Sequence, residues 1–214
     1  MMQRPGLPAV KRILCVGAHV DDIEIGCGGT LLRIQREQPD VQVLWLIATS
    51  NQQRRQEAQE SAQRFSVGTI QIQVELWDFR DGFLPYSGPA VKEAFFEARN
   101  SFVPDLVFSH RLEDRHQDHR LLAELTWNTF RDQLILEYEI AKYEGDLGQP
   151  NIFVQLSREI CEQKISGLLE GFPSQLGKPW FEPESFWALL RLRGMEANSD
   201  SKYAEAFTAR KLCI

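Results

Sequence analysis

The chain has 214 residues, and its content of 43% hydrophobic and 25% charged residues is typical of a globular protein with an ample core. Its formal net charge of −6 argues against a nucleic-acid partner, because binding to a phosphate backbone requires a basic surface. Its apolar runs are shorter than the roughly 20 residues that span a bilayer, and residues 1–10 lack the pattern of a signal peptide. We therefore expect a cytoplasmic protein without a nucleic-acid or membrane partner.

The four cysteines are widely spaced along the chain. They form no Cys-x-x-Cys pair, so neither a zinc ribbon nor a compact disulfide framework is indicated. We expect reduced thiols at Cys15, Cys27, Cys161 and Cys213.

Short apolar runs alternate with helical patterns along most of the chain. Five runs are predicted strands, at 12–18, 41–48, 70–76, 105–109 and 134–140. The spacing of apolar residues between them predicts helices at 28–37, 53–65, 89–100 and 120–130. This alternation is typical of stacked βαβ units. The sequence therefore predicts a Rossmann-like α/β fold, with a doubly wound, mainly parallel sheet and helices on both faces.

The pattern loosens after Gly145. It predicts a strand at 152–156 and helices at 158–170 and 184–193, with a stretch rich in glycine and proline between the helices. We interpret this part as a C-terminal elaboration of the same domain. Residues 1–214 are thus expected to form a single domain, with its α/β core at about 12–140.

The histidines fall in two short clusters that are rich in carboxylates. His19 lies in the segment 18–24, AHVDDIE, directly after the first predicted strand, whereas His110, His116 and His119 follow the fourth. Open α/β sheets bind their ligands outside the carboxyl ends of the strands. We therefore expect the two clusters to form one site.

Imidazole nitrogens and carboxylates are ligands of zinc, and a catalytic zinc ion keeps three protein ligands and one open position. The two clusters can supply such a set, so Zn²⁺ is the expected cofactor, with another divalent metal as the alternative. A metal-bound histidine also needs an acceptor for its other ring nitrogen. Asp114 and Asp118 are available for this.

The same residues resemble a known family. The run 13–30, ILCVGAHVDDIEIGCGGT, resembles the opening motif of the PIG-L/LmbE-like zinc-dependent de-N-acetylases, usually written AHPDDE followed by GCGGT. The run 116–119, HQDH, is similar to their second motif, HPDH. Val20 and Gln117 stand where proline is usual; because proline supplies rigidity rather than chemistry, we expect the loops to adjust and the ligands to remain. Further similarity lies in RRQEA at 54–58, the Asp81-Gly82 turn and YAEAF at 203–207.

The resemblance implies three zinc ligands, which are His19, Asp22 and His119. It also implies that Asp21 is the general base, that His116 stabilises the oxyanion or protonates the leaving amine, and that Asp118 orients a histidine. Amide hydrolysis needs an activated water, a polarised carbonyl and a proton for the leaving amine, which zinc and neighbouring acid and base groups provide. The implied reaction removes the acetyl group from an N-acetylated amino sugar or its conjugate, a small-molecule partner.

Three further residues are assigned to substrate binding. The resemblance places a substrate-contacting arginine at Arg54 or Arg55, although an arginine pair on a helix is often solvated. His110 either supports the metal ligands or is a structural residue at the end of a strand, and we group it with the arginines.

Other interpretations stay open. Gly26, Gly28 and Gly29 either bind a phosphate at the start of a helix or allow tight packing against a strand. A non-haem iron site would use similar ligands, but we expect it in an all-β fold. A non-catalytic Rossmann-like binding module is a further alternative, as is an amidase for another N-acyl conjugate, such as a thiol conjugate or an antibiotic scaffold. A homo-oligomer is also compatible with the sequence.

Overall fold

The computed structural model describes residues 9–212. Within this range, seven strands form one sheet: β1 Arg12–Gly17, β2 Gln42–Thr49, β3 Gln73–Phe79, β4 Leu106–His110, β5 Leu134–Tyr138, β6 Ile152–Gln155 and β7 Ala204–Thr208. The same range contains six α-helices: α1 Asp22–Glu37, α2 Gln52–Arg64, α3 Gly88–Ser101, α4 Gln117–Thr129, α5 Arg158–Gly171 and α6 Pro183–Glu196. The prediction that residues 1–10 are not a signal peptide concerns mainly residues 1–8, which lie outside the described range.

The strand order of the sheet is β3-β2-β1-β4-β5-β7-β6. Five strands, β3, β2, β1, β4 and β5, are parallel to one another. Strand β7 is antiparallel to both of its neighbours, β5 and β6. The predicted α/β fold with a mainly parallel sheet is confirmed. The sequence pattern does not predict β7, because Glu205 interrupts its short apolar run. Strands β6 and β7 belong to the same sheet as the other five, and the single domain stays a prediction.

The sheet is the middle layer of three. On β1, Ile13 and Cys15 belong to the hydrophobic cluster that also includes side chains of α1, α2, α5 and α6. Leu14 and Val16 belong to the cluster formed with α3 and α4. This alternation is the period of two expected for a strand covered on both faces.

Helix α1 begins at Asp22, well before its predicted start at residue 28. The prediction is wrong at this end because the glycine-rich segment 26–29 has low helix propensity. Packing overrides that propensity: a Cβ at Gly26 would overlap the ring of Tyr138. The glycines lie inside the helix rather than at its start, so the packing interpretation applies to them and the phosphate interpretation does not.

The segments that follow β1 and β4 meet at one edge of the sheet. The two strands are neighbours, and the strand order reverses between them. Doubly wound sheets bind ligands in the crevice at such a position. Helix α4 begins at Gln117 rather than at residue 120, so Asp118 and His119 lie on its first turn.

Among the residues that the structure describes, no helix is both long enough and apolar enough to cross a membrane. Cys15, Cys27 and Cys161 are free and buried, which agrees with the expected reduced thiols. Cys213 lies outside the described range.

Candidate metal centre and active site

Three side chains from distant segments converge at the carboxyl end of the sheet. His19 follows β1, Asp22 opens α1, and His119 lies on the first turn of α4. His19 Nδ1 lies 3.1 Å from His119 Nε2 and 3.2 Å from Asp22 Oδ2. His119 Nε2 lies 3.4 Å from the same oxygen. The structure thus brings together the three residues predicted as metal ligands.

The three donor atoms fit a single metal ion. Two atoms bound to one tetrahedral zinc ion at about 2.0–2.1 Å lie about 3.4 Å apart, close to the separations found here. Asp22 and His119 are each 3% exposed, whereas the His19 side chain is 13% exposed. The set therefore has a closed side and an open side. His110 and His116 each bring a nitrogen within 4.8 Å of donor atoms of this set.

Asp22 is the electrostatic centre of the cluster. Its Oδ2 accepts a hydrogen bond from the backbone N–H of His19 at 2.7 Å. Burial opposes the negative charge, yet the nearby His119, His19 and His110 hold the pKa of Asp22 well below its usual range. The carboxylate is therefore ionised and available to a cation.

The two histidines of the set differ in proton affinity. Burial disfavours charge on His19, but the carboxylates of Asp22 and Asp81 raise its pKa to about 10. Burial lowers the pKa of His119 to about 3, and the neighbouring His110 adds to that effect. His119 is therefore neutral at neutral pH, which is the form of imidazole that binds a metal.

The other nitrogen of His119, Nδ1, faces Asp114 Oδ2 at 3.1 Å. This is the acceptor that a metal-bound histidine needs. The same oxygen accepts a hydrogen bond from Lys142 Nζ at 3.0 Å, and Lys142 also pairs with Asp146 at 2.7 Å. Sequence reasoning misses Lys142 and Asp146, because they lie in an irregular segment after β5 where no periodic pattern places them.

Asp118 holds the loop that follows β3. Its buried carboxylate accepts hydrogen bonds from the backbone N–H groups of Gly82 at 2.7 Å and Leu84 at 3.1 Å. It lies 3.9 Å from His19 Nε2, so its hydrogen bonds go to this loop rather than to the histidine that it is predicted to orient. Gln117, at the position where the similar motif has proline, donates from Nε2 to the Gly82 carbonyl at 2.5 Å.

The loop held in this way brings Asp81 to the metal centre. Asp81 Oδ1 lies 3.1 Å from His19 Nε2, and its side chain is 66% exposed. Sequence reasoning finds only a turn at Asp81, because it ends the third strand at residue 76, whereas β3 continues to Phe79. With β3 ending at Phe79, Asp81 is a carboxylate just after a third parallel strand, as Asp22 and His119 follow β1 and β4.

Asp21 lies next to the ligands, at the N-cap position of α1. Its Oδ1 pairs with Arg54 Nη2 at 3.0 Å. Its Oδ2 is buried and has no hydrogen-bond partner among residues 9–212. Burial raises the pKa of Asp21, against the opposing positive charge of Arg54. A buried oxygen without a partner is a position where a proton donor can bind.

The two arginines of α2 point in different directions. Arg54 reaches Asp21, and its side chain is 17% exposed. Arg55 pairs instead with Asp78, whose side chain is 83% exposed. The structure therefore brings Arg54 to the site and leaves Arg55 at the surface.

His116 and His110 are both neighbours of His119. The partly exposed ring of His116 lies 4.5 Å from that of His119 and 5.0 Å from that of His19, measured between ring centroids. His110 is fully buried and stacks on His119 at 3.9 Å, and its Nε2 accepts a hydrogen bond from the Ala18 N–H. The grouping of His110 with the substrate-binding residues is therefore wrong, because a side chain without exposed surface cannot touch a substrate.

The chain matches the family described as "PIG-L: GlcNAc-PI de-N-acetylase" over residues 14–130, which is more than half of its length. It belongs to the PIG-L family. The matched segment contains both histidine clusters, so the resemblance seen in the two motifs is confirmed. In this PIG-L protein, the part beyond residue 130 supplies Lys142 and strands β6 and β7.

Solved structures share the fold of this PIG-L protein. It is similar to the N,N'-diacetylchitobiose deacetylase from Pyrococcus horikoshii, at 22% identity and a TM-score of 0.71 over 94% of this chain and 84% of that one. It is similar to GalB, the 4-carboxy-2-hydroxymuconate hydratase from Pseudomonas putida KT2440, at 16% identity and a TM-score of 0.77 over 95% of this chain and 98% of that one. It is also similar to the zinc-inhibited form of teicoplanin deacetylase Orf2, at 14% identity and a TM-score of 0.73 over 93% of this chain and 97% of that one. Since one of the three is a hydratase, the fold alone does not decide the reaction.

Proposed function

We propose that this PIG-L protein is a zinc-dependent hydrolase that removes the acetyl group from an N-acetylated amino sugar or its conjugate. The observation that carries the proposal is the convergence of His19, Asp22 and His119, whose donor atoms lie 3.1–3.4 Å apart. Next to them lies the unpartnered, buried oxygen of Asp21. A three-ligand set beside a proton acceptor is the arrangement that hydrolytic zinc sites use.

We assign the ion to His19 Nδ1, Asp22 Oδ2 and His119 Nε2. When bound, zinc supplies Lewis acidity that polarises an amide carbonyl and increases the acidity of water. Asp114 fixes the ring of His119 through Nδ1, and His110 supports the same ring by stacking on it. These contacts hold the ligand set in place before the ion binds.

Asp21 is the general base in this proposal. Its Oδ2 takes the proton of the attacking water, while Arg54 holds Oδ1 and so fixes the orientation of the carboxylate. His116, which is partly exposed beside His19, protonates the leaving amine or stabilises the oxyanion. General acid and base groups of this kind contribute about 10²–10⁴-fold to the rate.

The open side of the site suits a sugar. Arg54 and the exposed Asp81 place one positive and one negative group there. Charged groups of both signs are able to form charge-assisted hydrogen bonds with the hydroxyl groups of a sugar. Arg54 would also bind a phosphate or carboxylate on a sugar conjugate. The structural relative named for N,N'-diacetylchitobiose supports this substrate class.

An amide on a larger scaffold is the second candidate substrate. The loop that carries Asp81 also exposes Phe83 and Tyr86, with 40% and 78% of their surface accessible. Exposed aromatic rings beside a site bind apolar or aromatic groups well. Teicoplanin deacetylase, which has the same fold, supports this alternative.

The proposal is tested by measuring acetate and free amine. The protein is depleted of metal, reloaded with Zn²⁺, and incubated with N-acetylated monosaccharides, disaccharides, nucleotide sugars and an N-acylated glycopeptide. We expect acetate release that depends on zinc, is fastest with a sugar, and is lost in the metal-depleted protein. A zinc-loaded protein that cleaves no amide of this panel would overturn the proposal, and one that cleaves only the glycopeptide would favour the second candidate.

We also propose a small-molecule partner and a cytoplasmic location, with no nucleic-acid or membrane partner. The formal net charge of −6 supports the absence of a nucleic-acid partner, because it disfavours contact with polyanions. A homo-oligomer stays a prediction, which light scattering of the purified protein would test.

A further inference from the structure

A buried carboxylate contacts backbone N–H groups in the middle of α1. Glu205, on β7, accepts hydrogen bonds from the backbone N–H groups of Gly29 at 2.8 Å and Thr30 at 2.7 Å. In a regular helix these groups donate to the carbonyls four residues earlier, which are those of Ile25 and Gly26. Glu205 therefore offers its two oxygens to N–H groups that a regular helix directs to its own carbonyls.

Lys164, on α5, completes the insertion. Its Nζ donates to the Ile25 carbonyl at 2.7 Å and pairs with Glu205 Oε1 at 2.6 Å. The two residues are only 3% and 5% exposed. The pair thus supplies both a donor and an acceptor that a regular helix would supply itself. Insertion of side chains into the hydrogen-bond ladder is a recognised cause of helix bends.

Gly29 makes room for this insertion. A Cβ at this position would lie 3.0 Å from Glu205 Oε1 and would overlap the side chain of Leu156. Glycine is therefore required here by the packing of Leu156 and by the close approach of the carboxylate.

Lys164 and Glu205 contact α1 between the end that carries the site and the rest of the helix. Asp21 is at the N-cap position of α1 and Asp22 is its first residue, whereas the carbonyl of Ile25, at the end of the first turn, accepts a hydrogen bond from Lys164. We propose that Lys164 and Glu205 are positioning residues, which set the direction of the first turn of α1 and so hold Asp22 at the distance from His119 that a shared metal ion requires. The inference rests on the proposed function, because it concerns the metal on which that function depends.

The pair lies beside a small cavity. A cavity of about 20 Å³, lined in part by Ile25, Gly26, Lys164 and Glu205, adjoins the insertion, although protein interiors are otherwise closely packed. Replacement of both charged residues by methionine leaves no unpaired buried charge, so the loss of stability is limited. The N–H groups of Gly29 and Thr30 would then return to helix carbonyls, and the first turn would change direction.

The test is the zinc affinity of the Lys164→Met/Glu205→Met double variant, measured by competition with a chelating indicator. We expect the Kd for Zn²⁺ to rise about 10–100-fold, the range found when residues that support metal ligands are changed. The visible spectrum of the Co²⁺-substituted protein, which reports ligand geometry, should change as well. Circular dichroism would verify that the variant is folded.

A second buried ion pair provides the matched control. Arg193 Nη2 and Glu139 Oε1 lie 2.7 Å apart, line the same cavity, and are each 4% exposed. Arg193 makes its other hydrogen bonds with Gly148 and Glu196 rather than with α1. We expect Arg193→Met/Glu139→Met to keep the Kd for Zn²⁺ within about twofold. An equal loss of affinity in both double variants would overturn the inference, since it would reflect general disturbance of the core.

Gly29→Ala tests the same inference with both charges present, and decides it if the double variant does not fold. Its Cβ overlaps the side chain of Leu156 and lies 3.0 Å from Glu205 Oε1, so both must shift, whereas in Gly28→Ala, the control, the Cβ meets the ring of Phe65. We expect zinc affinity at least tenfold weaker for Gly29→Ala only. Unchanged zinc affinity in folded Lys164→Met/Glu205→Met or in Gly29→Ala, with a wild-type protein that binds zinc, would overturn this inference alone. A wild-type protein that binds no zinc would instead overturn the proposed function.

Discussion

His19 Nδ1 and His119 Nε2 lie 3.1 Å apart, although 100 positions separate the two residues in the chain. Two ring nitrogens at this distance need a proton or a cation between them, because two lone pairs would repel each other. Asp22 Oδ2 lies within 3.4 Å of both nitrogens. This proximity follows from the adjacency of β1 and β4, so the candidate metal centre depends on the strand order of the sheet.

The change Asp21→Asn removes the proposed proton acceptor and keeps the size of the side chain. We expect kcat to fall about 10²–10⁴-fold, with bound zinc per chain unchanged, because the ion is assigned to other residues. Steady-state kinetics and metal analysis would measure both. The control Asp78→Asn alters the surface arginine–aspartate pair and should keep full activity. Wild-type kcat in Asp21→Asn would refute the base assignment.

Lysine substitutions at the two arginines of α2 separate a site residue from a surface residue. For Arg54→Lys we expect kcat/KM to fall about 10–100-fold, which corresponds to about 1.5–3 kcal/mol for a hydrogen bond to a charged group, with kcat lowered because Arg54 orients Asp21. For Arg55→Lys we expect less than a twofold change, because this arginine pairs with the exposed Asp78. Equal effects of the two substitutions would contradict the assignment of Arg54.

The change Asp118→Asn tests what its buried carboxylate does. The amide nitrogen of asparagine cannot accept one of the two hydrogen bonds that Gly82 and Leu84 now donate, so we expect the free energy of unfolding to fall by about 1–3 kcal/mol. The Kd for zinc should stay within about twofold, as measured by indicator competition beside urea denaturation. Asp40→Asn, at an exposed position, is the control. A large loss of zinc affinity at unchanged stability would show that Asp118 orients a histidine, as the resemblance implies.

Removal of the metal should destabilise the protein, because the ion binds the folded state. At a free zinc concentration of 100 times Kd, binding adds about 2.7 kcal/mol to the free energy of unfolding. We expect a higher Tm with zinc than with chelator in calorimetry. In His119→Ala the Tm should be the same under both conditions, and a zinc-dependent Tm in that variant would place the ion elsewhere.

The sequence predicts the fold because its strands are continuous apolar runs, and strands covered on both faces require such runs. It predicts the meeting of the two histidine clusters because both follow strands of one parallel sheet. It misses the start of α1, since intrinsic helix propensity argues against the glycine-rich segment and only the packing of Tyr138 against Gly26 explains it.

Contacts between distant segments account for the rest of what the sequence does not predict. Neighbouring positions on α2 do not reveal that Arg54 turns to the site and Arg55 to the surface. The insertion of Glu205 into α1 joins residues 176 positions apart and depends on an antiparallel strand too short to give a clear pattern. Both are consequences of tertiary structure, which local periodicity does not encode.

The most direct measurement is a calorimetric titration of Zn²⁺ into metal-free wild-type protein and into Asp22→Asn, His119→Ala and His116→Gln. We expect one zinc ion per chain in the wild type and in His116→Gln, with binding weakened at least 100-fold in Asp22→Asn and His119→Ala, because these two changes each remove one of three ligands. A wild-type protein that binds no zinc, or ligand variants that bind it as tightly as the wild type, would contradict the assignment of the metal centre.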